Sequence, residues 1–399
     1  MSPSQPRASV QTGLERLVTE ERHLLHGRRV GLLCNPISVD RDLRHAADLL
    51  HADSDWEVVR LFGPEHGIRG AAQDMVAVGE ERDDRTGLPV VSLYGTDSTS
   101  LRPTAEHLQG LDVIVCDLQD IGSRYYTYVW TVAHCLEAAG AAGVEVVVCD
   151  RPNPLGGEVV EGGVVRCGFE SFVGHHAVSN RHGLTLGELI GLYRADRHVD
   201  AHFTVVTMRG WRRDLLFDAC DLPWVMPSPN MPTLDTAMVY PGLCLVEGTE
   251  LSEGRGTTRP FELVGAPYVA PDALASALEA LSLPGVAFRP AYFLPQFQKF
   301  AGVRCGGVQL HVTDRARFRP YLTGVALVAT VRLLYPDEFQ WRTRAYEFVG
   351  NKPAFDLLTG SDVLRLLIDE GASMPDLRAT WQAEEDAFRV KREDYLLYD

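Results

Sequence analysis

Short apolar runs, each ending in a polar loop with Gly or Pro, recur through the first half of the chain. They are RVGLLCNP at 29–36, VVRLFGPEHG at 58–67, PVVSLYG at 89–95, DVIVCDLQD at 112–120 and VEVVVCDRPNP at 144–154. Several are apolar almost without alternation, which suits strands covered on both faces. Helix-compatible stretches fall between them. One is DRDLRHAADLLHA; another is SRYYTYVWTVAHCLEAAG, with Ser123 a candidate N-cap and Gly140 a stop. Strand, helix, strand in alternation predicts an α/β fold with a doubly wound parallel sheet.

The pattern continues with a helix over HGLTLGELIGLYRA at 182–195 and a strand over FTVVTM at 203–208. It then breaks at LPWVMPSPNMPT, 222–233, where proline ends regular structure and marks a domain boundary. The expected division is an α/β domain over 10–225 and a smaller α+β domain over 226–399. In the second part the pattern predicts a Gly/Glu loop at 247–258, a helix at PDALASALEAL, a strand at GGVQLHVTD, and helices at 321–335 and 361–370.

An open parallel sheet binds ligands at the carboxyl ends of its strands. The polar loops of this chain sit at those ends: Asn35, Glu65 with His66, Asp117 to Asp120, and Asp150 to Asn153. In LFGPEHGIRG, Glu65, His66 and Arg69 share a loop with Gly63, Gly67 and Gly70, where glycine lets backbone approach a ligand. A carboxylate there serves either as a general acid or base or as an acceptor for backbone N–H groups. In DLQDIGSRYYTY, Asp117, Gln119 and Asp120 end a strand, and Arg124, Tyr125 and Tyr126 are expected to open a helix. That arrangement suits a carboxylate-bearing or sugar ligand, or else simple capping and core packing. In EGTELSEGRGTTRPFE, Glu247, Glu250 and Glu253 are spaced by three and precede Arg255 and Thr257, which reads as a site loop or an ion-paired surface. DRPNPLGG reads as a rigid turn, with Asn153 a candidate ligand contact.

Composition narrows the function. A formal charge of -16 repels phosphate backbones and argues against a nucleic-acid partner. No apolar run approaches the ~20 residues of a membrane span. The N-terminus MSPSQPRASVQTGLERL lacks a signal-peptide core, so a cytoplasmic location is expected. The eight cysteines include no C-x-x-C pair and read as buried free thiols in a reducing compartment. G-x-G-x-x-G, G-x-x-x-x-G-K-[ST], H-E-x-x-H and G-x-S-x-G are all absent. His175 and His176 are adjacent in an extended segment, point opposite ways and do not share a metal. No cofactor and no metal is expected.

In family order, LFGPEHGIRG, DLQDIGSRYYTY, DRPNPLGG, PSPNMPTLDTAMVYPG, EGTELSEGRGTTRPFELVGAP and CGGVQLHVTD resemble the NamZ-type exo-β-N-acetylmuramidases, a glycosidase family first catalogued as a domain of unknown function. The resemblance implies a Rossmann-like domain followed by a smaller C-terminal domain, with a cleft between them. It implies removal of N-acetylmuramic acid from the non-reducing ends of peptidoglycan fragments, without a nucleotide cofactor. It places the catalytic glutamate on Glu65 and draws the glutamates of the EGTELSEGRGT loop into the site. Protonating a leaving oxygen needs a carboxylic acid, here Glu65, and a second carboxylate, for which Glu253 and Asp120 are candidates. Retaining, inverting and substrate-assisted routes all stay open. Arg124 and Arg255 are candidates for reading the lactyl carboxylate of muramic acid. His66, Gln119, Tyr126, Asn153, Asn230, Glu250 and Thr257 complete the expected substrate contacts. The other classes considered are a non-catalytic peptidoglycan- or carbohydrate-binding protein and a nucleotide-dependent oxidoreductase.

Overall fold

A computed structural model describes residues 9–68 and 81–399; Arg69 and Gly70 lie outside the described residues. The first sheet contains β1 (Arg29–Cys34), β2 (Glu57–Gly63), β3 (Glu81–Arg82), β4 (Pro89–Ser92), β5 (Val113–Asp117), β6 (Glu145–Cys149) and β7 (Phe203–Val206). Their order is β3-β4-β2-β1-β5-β6-β7, and only the edge strand β3 runs antiparallel to its neighbour. The near-continuous apolar strands are explained by two cores, one on each face. Leu33, Phe62, Ile114, Cys116, Val146 and Val148 point into one. Their strand neighbours Leu32, Cys34, Leu61, Val113, Val115 and Val147 point into the other. The helix Gly13–Leu17 and the helix Ala46–His51 cover the second face, while the helices Tyr128–Ala142 and Leu186–Asp196 cover the first.

The second sheet joins β8 (Leu263–Ala266), β9 (Val286–Phe293) and β10 (Cys305–Val312) antiparallel in the order β8-β10-β9. The helix Pro271–Ala280 packs against it, and the helix Pro320–Leu334 packs on that helix and on the helix Leu234–Leu243. The core on the first face of the large sheet continues without a break into this half, from Leu33 to Phe388.

Chain order reverses between β1 and β5, the place where an open sheet ordinarily receives its ligand. Here the crevice is filled by protein. Arg151 donates to both Asp117 carboxylate oxygens, at 2.6 and 2.7 Å, and to the carbonyl of Val39 at 2.9 Å. The Ser38 hydroxyl donates to the Asp117 carbonyl. The fully buried Asp117 is therefore a structural partner of Arg151.

Two of the links between the halves stand out. The first is Glu161, almost wholly buried, which accepts from the backbone N–H of Tyr321 at 3.0 Å and lies 3.8 Å from Arg181. Burial pushes its carboxyl up to about 7, against the pull of Arg181. Because the folded value lies above the ordinary 4.5, the protonated form favours the native state. That stabilisation is complete below about pH 4.5 and is lost as pH rises through about 7. Glu161→Gln keeps the acceptor and removes the titration. Relative to wild type, its unfolding free energy in urea is expected to gain up to roughly 3 kcal/mol between those pH values. A constant difference across the range would refute the assignment.

The second link is the chain's last segment, which returns from the helix Met374–Lys391 to the first half. Arg392 donates to the carbonyls of Gly157, Gly183 and Glu158 at 2.8, 2.8 and 3.0 Å. The Tyr398 hydroxyl donates to Asp150 at 2.6 Å, and the Leu397 N–H to Glu188 at 2.8 Å.

Candidate active site

Past the end of β2, Pro64 to Gly67 close a turn in which the Gly67 N–H donates to the Pro64 carbonyl at 2.9 Å. His66 takes the left-handed position of that turn, at φ 71°, one that glycine or asparagine normally fills. The turn delivers Glu65 and His66, both more than nine-tenths buried, into a narrow cleft lined from both halves. The floor is a run of edge-to-face rings crossing from one half to the other: Tyr128 to Tyr126 at 4.9 Å, Tyr126 to Tyr240 at 5.9 Å, and Tyr240 to Phe261 at 4.8 Å. Burial holds the phenols of Tyr126, Tyr240 and Tyr346 far above their usual range, so they are neutral at any physiological pH.

Three carboxylates line the cleft, and each accepts from a hydroxyl. Thr127 Oγ1 donates to Glu65 Oε2 at 2.9 Å, Tyr346 to Glu247 Oε2 at 2.8 Å, and Tyr94 to Glu347 Oε2 at 3.1 Å. The cleft's arginine is Arg255, held in a loop between Gly254 and Gly256, both at positive φ. A side chain at Gly256 would meet the Phe297 backbone at 2.6 Å, so glycine is required there. Arg255 lies 3.0 Å from Glu247 and 3.5 Å from Glu253, with its guanidinium 5.1 Å from the Phe261 ring.

Of the residues expected from sequence, Glu65, His66, Tyr126, Asn230 and Arg255 meet in this cleft. The others lie elsewhere, each for a visible reason. Glu253 is paired with Lys299 at 2.9 Å and with Arg255. Burial raises its pKa, but these two cations outweigh burial and hold it below the usual range, so it braces Arg255 as an ionised partner. Asp120 accepts from the Gly122 N–H at 2.7 Å and faces His182 at 3.1 Å. Gln119 donates to the carbonyls of Asp120 and Pro152, and Asn153 donates to Leu184 and accepts from the Leu155 N–H, so both hold turns. Glu250 is half-exposed near Arg344, and Thr257 bonds back to the Gly254 carbonyl within its own loop.

Arg124 departs furthest from expectation. It does not open the helix, which begins at Tyr128 with Thr127 as N-cap and runs past Gly140 to Ala142. Its guanidinium is fully buried and donates to the carbonyls of Gly163, Val178 and Leu358 at 2.9, 2.7 and 2.5 Å. It is a clamp between loops.

Sequence reasoning missed the cleft position of Glu347. Tyr346 and Val349 exchange backbone hydrogen bonds around Glu347 and Phe348, whose φ values are 44° and 67°. Two non-glycine residues in this mirror-image turn are strained, as happens where a site requires it. The available signal was one acid between two aromatics ahead of Gly350 and Pro353. Glu247, one of the glutamates that the resemblance draws into the site, does line the cleft.

Sequence models of the exo-β-N-acetylmuramidase NamZ family match twice, the N-terminal model over residues 30–235 and the C-terminal model over 238–398. The chain is 42% identical over 392 residues to the peptidoglycan β-N-acetylmuramidase NamZ of Bacillus subtilis (strain 168), covering 98% of this chain and 92% of that protein. Two crystal structures of DUF1343-family proteins from Bacteroides fragilis NCTC 9343 share the fold. One has a TM-score of 0.89 at 36% identity, covering 99% of this chain and 100% of that one. The other has 0.76 at 26% identity, covering 98% and 99%. With both halves matched and a relative of this identity along almost its whole length, the chain belongs to the exo-β-N-acetylmuramidase NamZ family.

Proposed function

We propose that this protein is an exo-β-N-acetylmuramidase that hydrolyses the glycosidic bond of an N-acetylmuramic acid at the non-reducing end of a peptidoglycan fragment. The observation that carries this reading is the convergence of Glu65 from the first half with Glu247 and Arg255 from the second, in one tyrosine-floored cleft of a NamZ-family chain. Glycoside hydrolysis needs an acid on the leaving oxygen and a second carboxylate near the anomeric carbon. Glu65 is assigned the first role. Glu247, held on one oxygen by Arg255 and on the other by Tyr346, takes the second, in place of Glu253 and Asp120. Arg255 reads the lactyl carboxylate, and Glu347, His66, Tyr126 and Asn230 meet the remaining polar groups of the sugar. None of the described helices is long and apolar enough to cross a membrane. Seven of the eight free cysteines are buried, which supports action in the reducing cytoplasm.

The test is turnover of a chromogenic N-acetylmuramyl β-glycoside beside its N-acetylglucosaminyl analogue. The muramyl compound is expected to be cleaved with kcat/KM at least about 10² higher, since a site built around a buried charge rejects the analogue that lacks its partner. Equal rates on the two, or binding of the muramyl sugar without release of the chromophore, would defeat the proposal.

A further inference from the structure

Behind the cleft wall that carries Val173, metal-ligating side chains converge from two elements. His134 and Glu137 stand one turn apart on the helix Tyr128–Ala142, and His175 follows Val173 in its loop. One donor atom from each of the three lies within 4.8 Å of the others. The two imidazole centroids are 4.6 Å apart and the rings are tilted by 58°. His134 is 6% exposed, and its Nδ1, 4.0 Å from a Glu137 oxygen, has no hydrogen-bond partner. An orphaned buried polar atom is costly. Tyr193 supplies an outer contact, donating to Glu137 Oε1 at 2.6 Å and lying 3.0 Å from His175 Nε2. Such a partner orients ligands from behind.

His176, in the same bend, bonds to Asp196 at 2.7 Å instead, while both histidine rings pack on Tyr193. The spacing that matters is His134 to Glu137, three apart on a helix, with His175 brought in by the fold.

We propose that His134, Glu137 and His175 bind one divalent ion of the zinc type, a site that pins the Val173 loop to the helix beginning behind Thr127. Two imidazoles and one carboxylate suit zinc, whereas magnesium and calcium prefer all-oxygen shells. Burial, with His175 and Arg102 nearby, pulls His134 down to about 4, so its ring is in the neutral, ligating form at pH 7. The competing cations are Arg197, beside His175 and Tyr193, and Arg102, 4.0 Å from Glu137; the Arg102 side chain is 54% exposed and can swing into solvent at little cost.

The experiment uses the full chain, stripped with a chelator, incubated with zinc chloride and desalted. Elemental analysis is expected to find one zinc per chain, and the melting temperature to rise by about 3 °C or more. Cobalt(II) in place of zinc should give visible d–d absorption. His134→Ala and His175→Ala should lose the metal, the thermal shift and the cobalt bands, while His176→Ala keeps all three. Glu137 is less buried than His134, so Glu137→Gln tests the site without opening the core, and it too should lose the metal. Zinc retained equally by all four variants, or no zinc on the wild type, would overturn the site.

Discussion

Glu65→Gln is expected to lower kcat on a muramyl β-glycoside by a factor of about 10² or more, with little change in melting temperature. The substitution preserves volume and leaves an oxygen to accept from Thr127 Oγ1, so the turn from Pro64 to Gly67 keeps its bonds. What it removes is the transferable proton. A leaving group that is already acidic needs that proton less, so the variant should recover part of its rate on a nitrophenyl glycoside and almost none on a disaccharide. If Glu65 only shaped the loop, the two substrates would fall together and stability would fall with them. A folded variant that keeps more than half of wild-type kcat on the disaccharide would remove Glu65 from the acid's role.

Arg255→Leu and Arg124→Leu should separate in kind. Arg255 faces the cleft, and its loss should cost roughly 2–4 kcal/mol in kcat/KM on the muramyl substrate, a factor of about 30 to 10³. The glucosaminyl analogue has no lactyl carboxylate. Any loss it shows reports instead the slackening of Glu247, which keeps its bond from Tyr346. Glu253 keeps Lys299, so the substitution does not strand a buried charge there. The ratio of the two losses therefore isolates recognition of the carboxylate. Arg124→Leu removes a donor from three buried carbonyls, of which that of Leu358 keeps Asn180, and should lower the melting temperature and reduce both activities alike. Equal losses on the two sugars in Arg255→Leu would end the carboxylate-reading assignment.

The parallel sheet was legible because burial on both faces writes itself into the sequence as continuous apolar runs, as at VIVCD and EVVVC. The acid-bearing loop after β2 was legible for the same reason, since it begins where such a run stops. β9 was not, because Arg289 and Pro290 are both exposed and break the alternation of VAFRPAYF, and its proline is one that an edge strand tolerates. The helix Leu234–Leu243 hid behind a proline-rich stretch and holds a proline of its own; Pro241 falls near its end, where the clash with the preceding turn still leaves most of the helix intact. The site failed to show wherever position depends on tertiary context. A charged residue reads the same whether it ends in a cleft, as Arg255 does, or among carbonyls, as Arg124 does. Glu347 is delivered by a turn whose φ values would normally demand Asn-Gly, so no local rule points to it.

The return of Arg392 to Tyr398 onto the first half also governs the order in which the protein can be made. While the chain leaves the ribosome, the strand ending before Asp150 and the loops at Gly157 and Gly183 emerge long before the residues that bond to them. Until then the carbonyls of Gly157 and Gly183 are met by Arg213, and the Asp150 carboxylate by Thr185 and the Gly187 N–H, so that edge of the first half is held by fewer bonds. A nascent chain halted in its final helix would carry every residue of the cleft and still lack the clasp that closes the half supplying Glu65. Among the contacts that hold the first half, those from Arg392 to Tyr398 are therefore the last to become available.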